Sequence, residues 1–476
     1  MKRKWSLIFY VVIVAGLGAV IYWIVEQGHG LQSSSLTTQQ VQPTKELNTG
    51  NNFQVFTDSF NQNLSDPLTI LLLQIIVIIA IAHLFGFLFK KIGQPAVIGE
   101  IFAGIILGPS VIGLFFPQIN HFLFPPASLG TLNFLSQIGL IFFMFIIGME
   151  LDLKAIRKQA YDAVIISHAS IIIPYTLGMG LAYFIYQDYA PAGTSFLSFA
   201  LFMGIAMSIT AFPVLARILQ EKGLTRSKLG AMALTCAAAD DLTAWCILAA
   251  VIALVKSGSS ISALYTIGLA VVYVLLMFKV VRPALKKIEH IYHEQEKMRT
   301  PIIALLFIML IVSSYVTSII GIHSLFGAFI AGVIMPSGFS FRKIVIDKIE
   351  DVSIVLLLPL FFVITGLRTE IGLLNEGHLW ITFGWILMVA VVGKFGGSAF
   401  AARIVGQSWK DSLSIGVLMN TRGLMQLIVL NIGYDLGILS PEIFAMMVLM
   451  ALVTTLMTGP ALDLINWLIP DKADKV

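Results

Sequence analysis

The feature that most constrains this chain is a succession of apolar runs, each of about 20 residues, the length a helix needs to cross the hydrocarbon core of a bilayer. A first run occupies about residues 5–25. Thirteen more lie near 68–89, 92–116, 130–150, 160–187, 196–219, 229–254, 261–280, 300–321, 323–336, 350–367, 379–402, 411–433 and 442–467. Such a pattern implies an all-α integral membrane protein, since in lipid a spanning segment must satisfy its own backbone hydrogen bonds. Charged residues make up only 12% of the chain, against about 25% in soluble domains. That deficit excludes a soluble enzyme, a disordered chain and a secreted disulfide scaffold. The net charge of +4 leaves no basic excess for nucleic acid. Cys236 and Cys246 stand in one apolar run, about 15 Å apart along a helix, too far for a disulfide.

Lys and Arg fix the orientation. With the N-terminus in the cytoplasm and sides alternating at each run, 25 of the 30 basic residues fall at cytoplasmic ends and loops. Three fall outside, namely Lys45, Lys256 and Arg368, and two, Lys394 and Arg422, lie inside apolar runs. One missed or invented helix would scramble that asymmetry. The expected organisation is an N-terminal signal anchor or signal peptide at 1–25 and a polar, loosely ordered extracytoplasmic linker at 26–66. A transmembrane domain at 67–470 and a short cytoplasmic tail at 471–476 follow. The first run lacks a clean Ala-x-Ala site, which favours an uncleaved anchor. The protein is expected in the plasma (inner) membrane, with a cytoplasmic C-terminus.

The thirteen core runs divide into six at about 68–254, one connecting run, and six at about 300–467. An odd number of crossings between corresponding members makes the halves inverted repeats, the construction of secondary transporters with a midplane site on broken helices. The fifth run of each half is interrupted by a polar, helix-breaking stretch: Thr210-Ala211-Phe212-Pro213 in one and Asn420-Thr421-Arg422-Gly423 in the other. Pro213 and Gly423 are the natural breakers. Thr210 and Thr421 offer hydroxyl or freed backbone oxygens to a hard cation, or else serve helix packing.

Ionisable groups inside a membrane are expensive and mark function. Here they are Asp240, Asp241, Lys394 and Arg422. Helical neighbours point about 100° apart, so the adjacent aspartates cannot serve one ligand equally; one can face a cavity while the other meets a cation. Two close carboxylates in low dielectric do not both ionise cheaply. A carboxylate so placed holds a proton or a metal ion but not both, the minimum requirement for exchanging one against the other. Lys394 is the natural counter-charge, with snorkelling as its alternative. Arg422 stays charged and either neutralises the broken helices or is purely structural. No His/Cys cluster has metal-ligand spacing and no Gly-x-x-x-x-Gly-Lys-Ser/Thr run would hold ATP. No cofactor is expected, and an ion gradient must drive any pumping.

Seven stretches together resemble the second family of monovalent cation:proton antiporters. Residues 99–110 read Gly-Glu-Ile-Phe-Ala-Gly-Ile-Ile-Leu-Gly-Pro-Ser; the others are 145–152, 208–219, 239–246, 321–336, 358–369 and 420–433. The last four are especially similar to the plant cation/H⁺ exchangers. The resemblance covers about 68–467 and implies thirteen helices in a dimerisation domain and a mobile core, homodimers, and an elevator-like movement around crossed broken helices. It assigns Asp241 to transported Na⁺ or K⁺ and protons, and Asp240 to a salt bridge with Lys394 of Gly393-Lys394. Thr210 matches the threonine of the first break, and Arg422 an arginine of the second. In that family a paired aspartate tends to accompany electrogenic exchange, and Asn-Asp electroneutral exchange. The chain departs from the potassium-efflux branch in lacking its Gln-Asp pair and a nucleotide-binding domain. Two rivals share the residues: a gated K⁺ efflux channel on the same scaffold, and an intramembrane aspartyl protease. The protease would need converging carboxylates and a Gly-x-Gly-Asp signature, which is absent.

Overall fold

The computed structural model describes residues 19, 20, 23, 52–150, 160–224, 227–257, 260–292, 300–336, 339–375 and 377–469. The expected anchor at 1–25, except for three of its residues, the linker up to residue 51 and the tail at 471–476 lie outside the described residues. The chain divides into two compact units, Met1–Ser65 and Asp66–Val476. In the first, the end of the linker is not loose, as expected, but a helix, Asn52–Leu64. Its sequence places Phe53, Phe56 and Phe60 at helical spacing, and the last two rings stack at 6.1 Å, a pairing that supports isolated helices.

In the second unit the described residues are helical with no strand. Its first span, Pro67–Lys91, has a full set of end signals. The Asp66 carboxylate accepts from the amides of Leu68 and Thr69, Pro67 stands at the first turn, and Lys90 and Lys91 close the last. Each satisfies or complements the helix end it occupies. Among the described residues, eleven helices are long and apolar enough to cross a membrane. The pair Trp409–Met419 and Leu424–Asp435, bent by 40°, makes a twelfth when read as one span. The run expected at 323–336 forms only Ser324–Val333, 10 residues, about 15 Å long and half the hydrocarbon thickness. Gly321, at φ 98°, turns the chain just before it, and Pro336 follows it. Large apolar side chains such as Phe134, Phe184, Ile319 and Trp467 face outward, as a lipid-facing surface requires. The protein is a multi-pass integral membrane protein.

The helices pack as two groups. One gathers Pro67–Lys91, Ala96–Leu107, Pro126–Glu150, Thr300–Ile320, Ser324–Val333 and Leu358–Leu367. The other gathers Ala160–Tyr189, the two halves Phe196–Ser208 and Phe212–Glu221, Lys228–Ser257, the span Gly377–Ile404, the bent pair, and Pro441–Leu468. Between the groups Trp245 stacks on Phe329 at 6.1 Å. Arg368 pairs with Asp435 at 2.9 Å and donates to Asn431 Oδ1 at 2.9 Å.

Candidate functional site

The second group is organised around two interrupted helices that meet. The first is interrupted at residues 209–211, between Phe196–Ser208 and Phe212–Glu221. The second is interrupted at residues 420–423. Pro213 sits at the second position of its half-helix, where its missing N–H is harmless. Gly423 opens the other half-helix; a Cβ there would stand 2.7 Å from Val214 Cγ2, so any larger residue would have to push that side chain aside. The breaks bind one another directly: the Ala211 amide donates to the Thr421 carbonyl at 3.0 Å, and Thr210 Oγ1 reaches the Met419 carbonyl at 3.1 Å.

A helix that stops at the buried Ser208 leaves its last four carbonyls without helical partners. All four are answered by side chains. Ser208 Oγ donates to Ile205 O, and Arg422 donates to Ala206 O at 3.1 Å and Met207 O at 2.8 Å. Lys394 Nζ donates to Ser208 O. Two cations thus sit at the negative end of a half-helix, where its dipole favours them. Arg422 also reaches Gln426 Oε1 at 3.3 Å and Ala390 O at 3.3 Å. The second break is held by the last helix, whose Thr455 hydroxyl donates to Arg422 O at 2.5 Å, while Thr458 Oγ1 lies 3.2 Å from Thr421 Oγ1.

Lys394 owes its reach to two local irregularities. It lies in a π-helical turn, Val392–Gly396, within the span Gly377–Ile404; such bulges are frequent at functional sites. Its neighbour Gly393 presses on Pro174, whose Cα would stand 2.9 Å from an added Cβ. Pro174 lies inside Ala160–Tyr189 and has no N–H for the carbonyl four residues earlier. That carbonyl, Ser170 O, accepts from Lys394 at 3.0 Å.

Asp240, Asp241, Lys394 and Arg422 are all fully buried. The adjacent aspartates of Lys228–Ser257 have opposite surroundings. Asp240 pairs with Lys394 at 2.9 Å. It also accepts from Ser167 at 2.6 Å, Ser170 at 2.9 Å and Thr210 at 2.7 Å. The Phe212 amide points toward Asp241, yet neither of its carboxylate oxygens completes a hydrogen bond among the described residues. The arrangement therefore sets a carboxylate with four donors, one at Oδ1 and three at Oδ2, beside one whose oxygens complete no hydrogen bond among the described residues. It can take up a single small cation or a proton at the open one.

The structure brings together Asp240, Lys394 and Thr210 in one hydrogen-bonded cluster, with Arg422 and Thr421 across the crossing. Pro213 and Gly423 shape the breaks. The sequence reading passed over Ser167, Ser170, Thr455 and Thr458. The available signal for the first two was a serine pair three residues apart on an apolar helix, followed by Pro174.

A family model described as "Sodium/hydrogen exchanger, transmembrane" matches residues 76–466. Na(+)/H(+) antiporter NhaS4 of Synechocystis sp. is 43% identical over 397 residues, covering 83% of this chain and 97% of that protein. Cation/H(+) antiporter 17 of Arabidopsis thaliana is 41% identical over 83% of this chain and 48% of its own length. K(+)/H(+) antiporter 1 of Saccharomyces cerevisiae is 34% identical, over 85% of this chain and 47% of its own. The chain spans about half the length of these plant and yeast relatives. Among solved structures, the sodium proton antiporter MjNhaP1 from Methanocaldococcus jannaschii superposes with a TM-score of 0.61 at 17% identity. That match covers 85% of this chain and 98% of MjNhaP1, so the two share a fold. The chain belongs to the transmembrane sodium/hydrogen exchanger family.

Proposed function

We propose that this chain is a secondary active antiporter that exchanges Na⁺ or K⁺ for protons across the membrane by alternating access, with Asp241 binding either ion in turn. One observation carries the reading: Asp241 is fully buried and neither of its oxygens completes a hydrogen bond among the described residues, beside an Asp240 that has its donors. A proton or a monovalent cation on Asp241 neutralises it. An empty Asp241 is a bare charge inside the bilayer, costing about 2.5–3.5 kcal/mol on insertion scales. That penalty slows reorientation of the empty site about 100-fold, and the two fluxes are thereby coupled. Thr210 adds an oxygen at the break, Lys394 balances Asp240, and Arg422 serves the carbonyls at the end of the broken helix. No covalent chemistry is involved. The names of the relatives, which include Na⁺/H⁺ and K⁺/H⁺ antiporters, support a monovalent cation as cargo.

The finer architecture follows the same reading. Thirteen membrane segments form two inverted six-helix repeats, a view supported by the corresponding positions of the two breaks. The second helix group is the moving core and the first is the dimerisation domain of a homodimer in the lipid bilayer. The charge asymmetry supports a cytoplasmic C-terminus and residence in the plasma (inner) membrane.

The test is proton movement in proteoliposomes under an imposed pH gradient, with Na⁺, K⁺, Li⁺ and Rb⁺ added in turn. At least one cation collapses the gradient in the wild type and none does so in Asp241→Asn. Coupled exchange by Asp241→Asn, or cation flux independent of the proton gradient, overturns the proposal.

A further inference from the structure

The helix Asn52–Leu64 has two unlike faces. Phe53, Phe56, Phe60 and Leu64 fall on one side, within about 80° on a helix of 3.6 residues per turn. Gln54, Asp58 and Gln62 fall on the other. The three phenylalanines are 71%, 62% and 53% exposed in chain order. Aromatic rings on view at this spacing form a surface rather than a scatter of single residues.

Water alone does not sustain such a segment. Its 13 residues are marginal for an isolated helix, and Phe, Val, Thr, Ser and Asn are weak helix formers. The stack of Phe56 on Phe60, and the Thr57 hydroxyl that donates to Gln54 O at 2.8 Å, add local support only. A surface that takes up the aromatic face supplies the rest.

Chain connectivity names that surface. Ser65 closes the helix, its hydroxyl donating to Asn61 O at 3.0 Å. Asp66 is extended, with ψ at 134°, as a residue before proline prefers. Pro67 then begins a membrane span. Three residues of chain reach at most about 11 Å, so Leu64 stays within reach of the headgroup layer through which that span enters. Charge narrows the contact further. The helix has no Lys or Arg and a single acid, Asp58, whereas helices drawn to anionic lipid carry basic polar faces. Its attachment therefore relies on the rings, while the Asn and Gln amides suit a hydrogen-bonding headgroup region.

We propose that Asn52–Leu64 lies along the membrane surface as an interfacial foot of the first span, with Phe53, Phe56 and Phe60 sunk into the boundary between headgroups and acyl chains. The partner is a zwitterionic lipid surface, on the side of the bilayer opposite Lys90 and Lys91. The foot sets where the preceding linker leaves the membrane.

The experiment puts single spin labels on the full chain in phosphatidylcholine nanodiscs, with Cys236 and Cys246 replaced by alanine. Labels at Phe60→Cys, Asp58→Cys and Gln62→Cys are compared by collision with oxygen, which concentrates among acyl chains, and with a water-soluble nickel chelate. The Phe60 label lies about 5–10 Å into the interface, and the other two lie in water. High salt or added anionic lipid leaves the depth unchanged, and Phe53→Ser with Phe56→Ser brings the Phe60 label out into water. A Phe60 label in water with both other rings intact overturns the proposal. So does one shielded from both reagents, because the face then packs on protein, either a second copy or another segment of this chain. A depth lost in high salt overturns it too, since charge would then hold the helix. Should the alanine background not fold, the native chain carrying each added cysteine serves instead: Cys236 is buried, and the signal from Cys246 is subtracted using the unsubstituted protein.

Discussion

Removing the ammonium of Lys394 tests whether the buried pair is an energetic unit. Its nitrogen lies 2.9 Å from Asp240 Oδ2 with both side chains fully buried. At that separation the attraction is about 6 kcal/mol for an effective dielectric of about 20. Desolvation offsets much of it, and losing one partner of a buried pair commonly costs about 3–5 kcal/mol. In Lys394→Ala three hydroxyls still donate to Asp240, each worth about 1.5–3 kcal/mol toward a charged group. The loss therefore falls near the lower end, about 3 kcal/mol. Asp240→Asn strands the ammonium instead and costs a similar amount. The double variant orphans neither charge, so its cost falls short of the sum by about 1–3 kcal/mol. Unfolding of the four proteins in detergent, run as a double-mutant cycle at neutral pH, reads this coupling. Additivity within about 0.5 kcal/mol refutes the argument.

On the proposed competition of proton and cation for Asp241, the apparent KM for the cation rises about tenfold per unit fall in pH on the acid side, since a ligating carboxylate must be deprotonated. The rate at saturating cation stays level, and dye titrations at several pH values check it; a KM that ignores pH contradicts competition. Arg368 joins the two helix groups through Asp435 and Asn431, so it stabilises only the arrangement seen here if the groups move. An exposed pair of this kind is worth up to about 1 kcal/mol. Arg368→Ala therefore shifts the balance of orientations up to about fivefold. Labelling of a cysteine introduced near Asn431, in a variant without Cys236 and Cys246, reads the shift, and unchanged labelling removes Arg368 from the gating argument.

Most of the scaffold was legible because its signals are local. A run of about 20 apolar residues or an aspartate pair inside one needs no partner to be informative, and so the spans, both breaks and all four buried charges stand out. The short Ser324–Val333 helix was harder, since an apolar run does not say where a turn such as Gly321 cuts it. The aromatic spacing of Asn52–Leu64 was present but masked by its polar setting. Ser167 and Ser170 were passed over because a lone serine is cheap enough in a membrane helix to attract no notice. Their meaning depends on Asp240, some seventy positions away. Thr455 and Thr458 depend likewise on the second break.

The division of labour between the two buried cations follows from what each one binds. Among the described residues, Arg422 donates its side-chain N–H groups to carbonyl and amide oxygens, chiefly at the end of Phe196–Ser208. It balances a half-helix dipole and has no cause to change during a transport cycle. Lys394 divides its donors between an anion and two carbonyls, one freed by the helix break and the other by Pro174. Those carbonyls exist as free acceptors only because two helices are imperfect at the same depth. A regular helix at either place would leave the ammonium with Asp240 alone, and the price of burying it would rise accordingly. Broken helices therefore do more than interrupt a span: they let a lysine stay fully buried near Asp241.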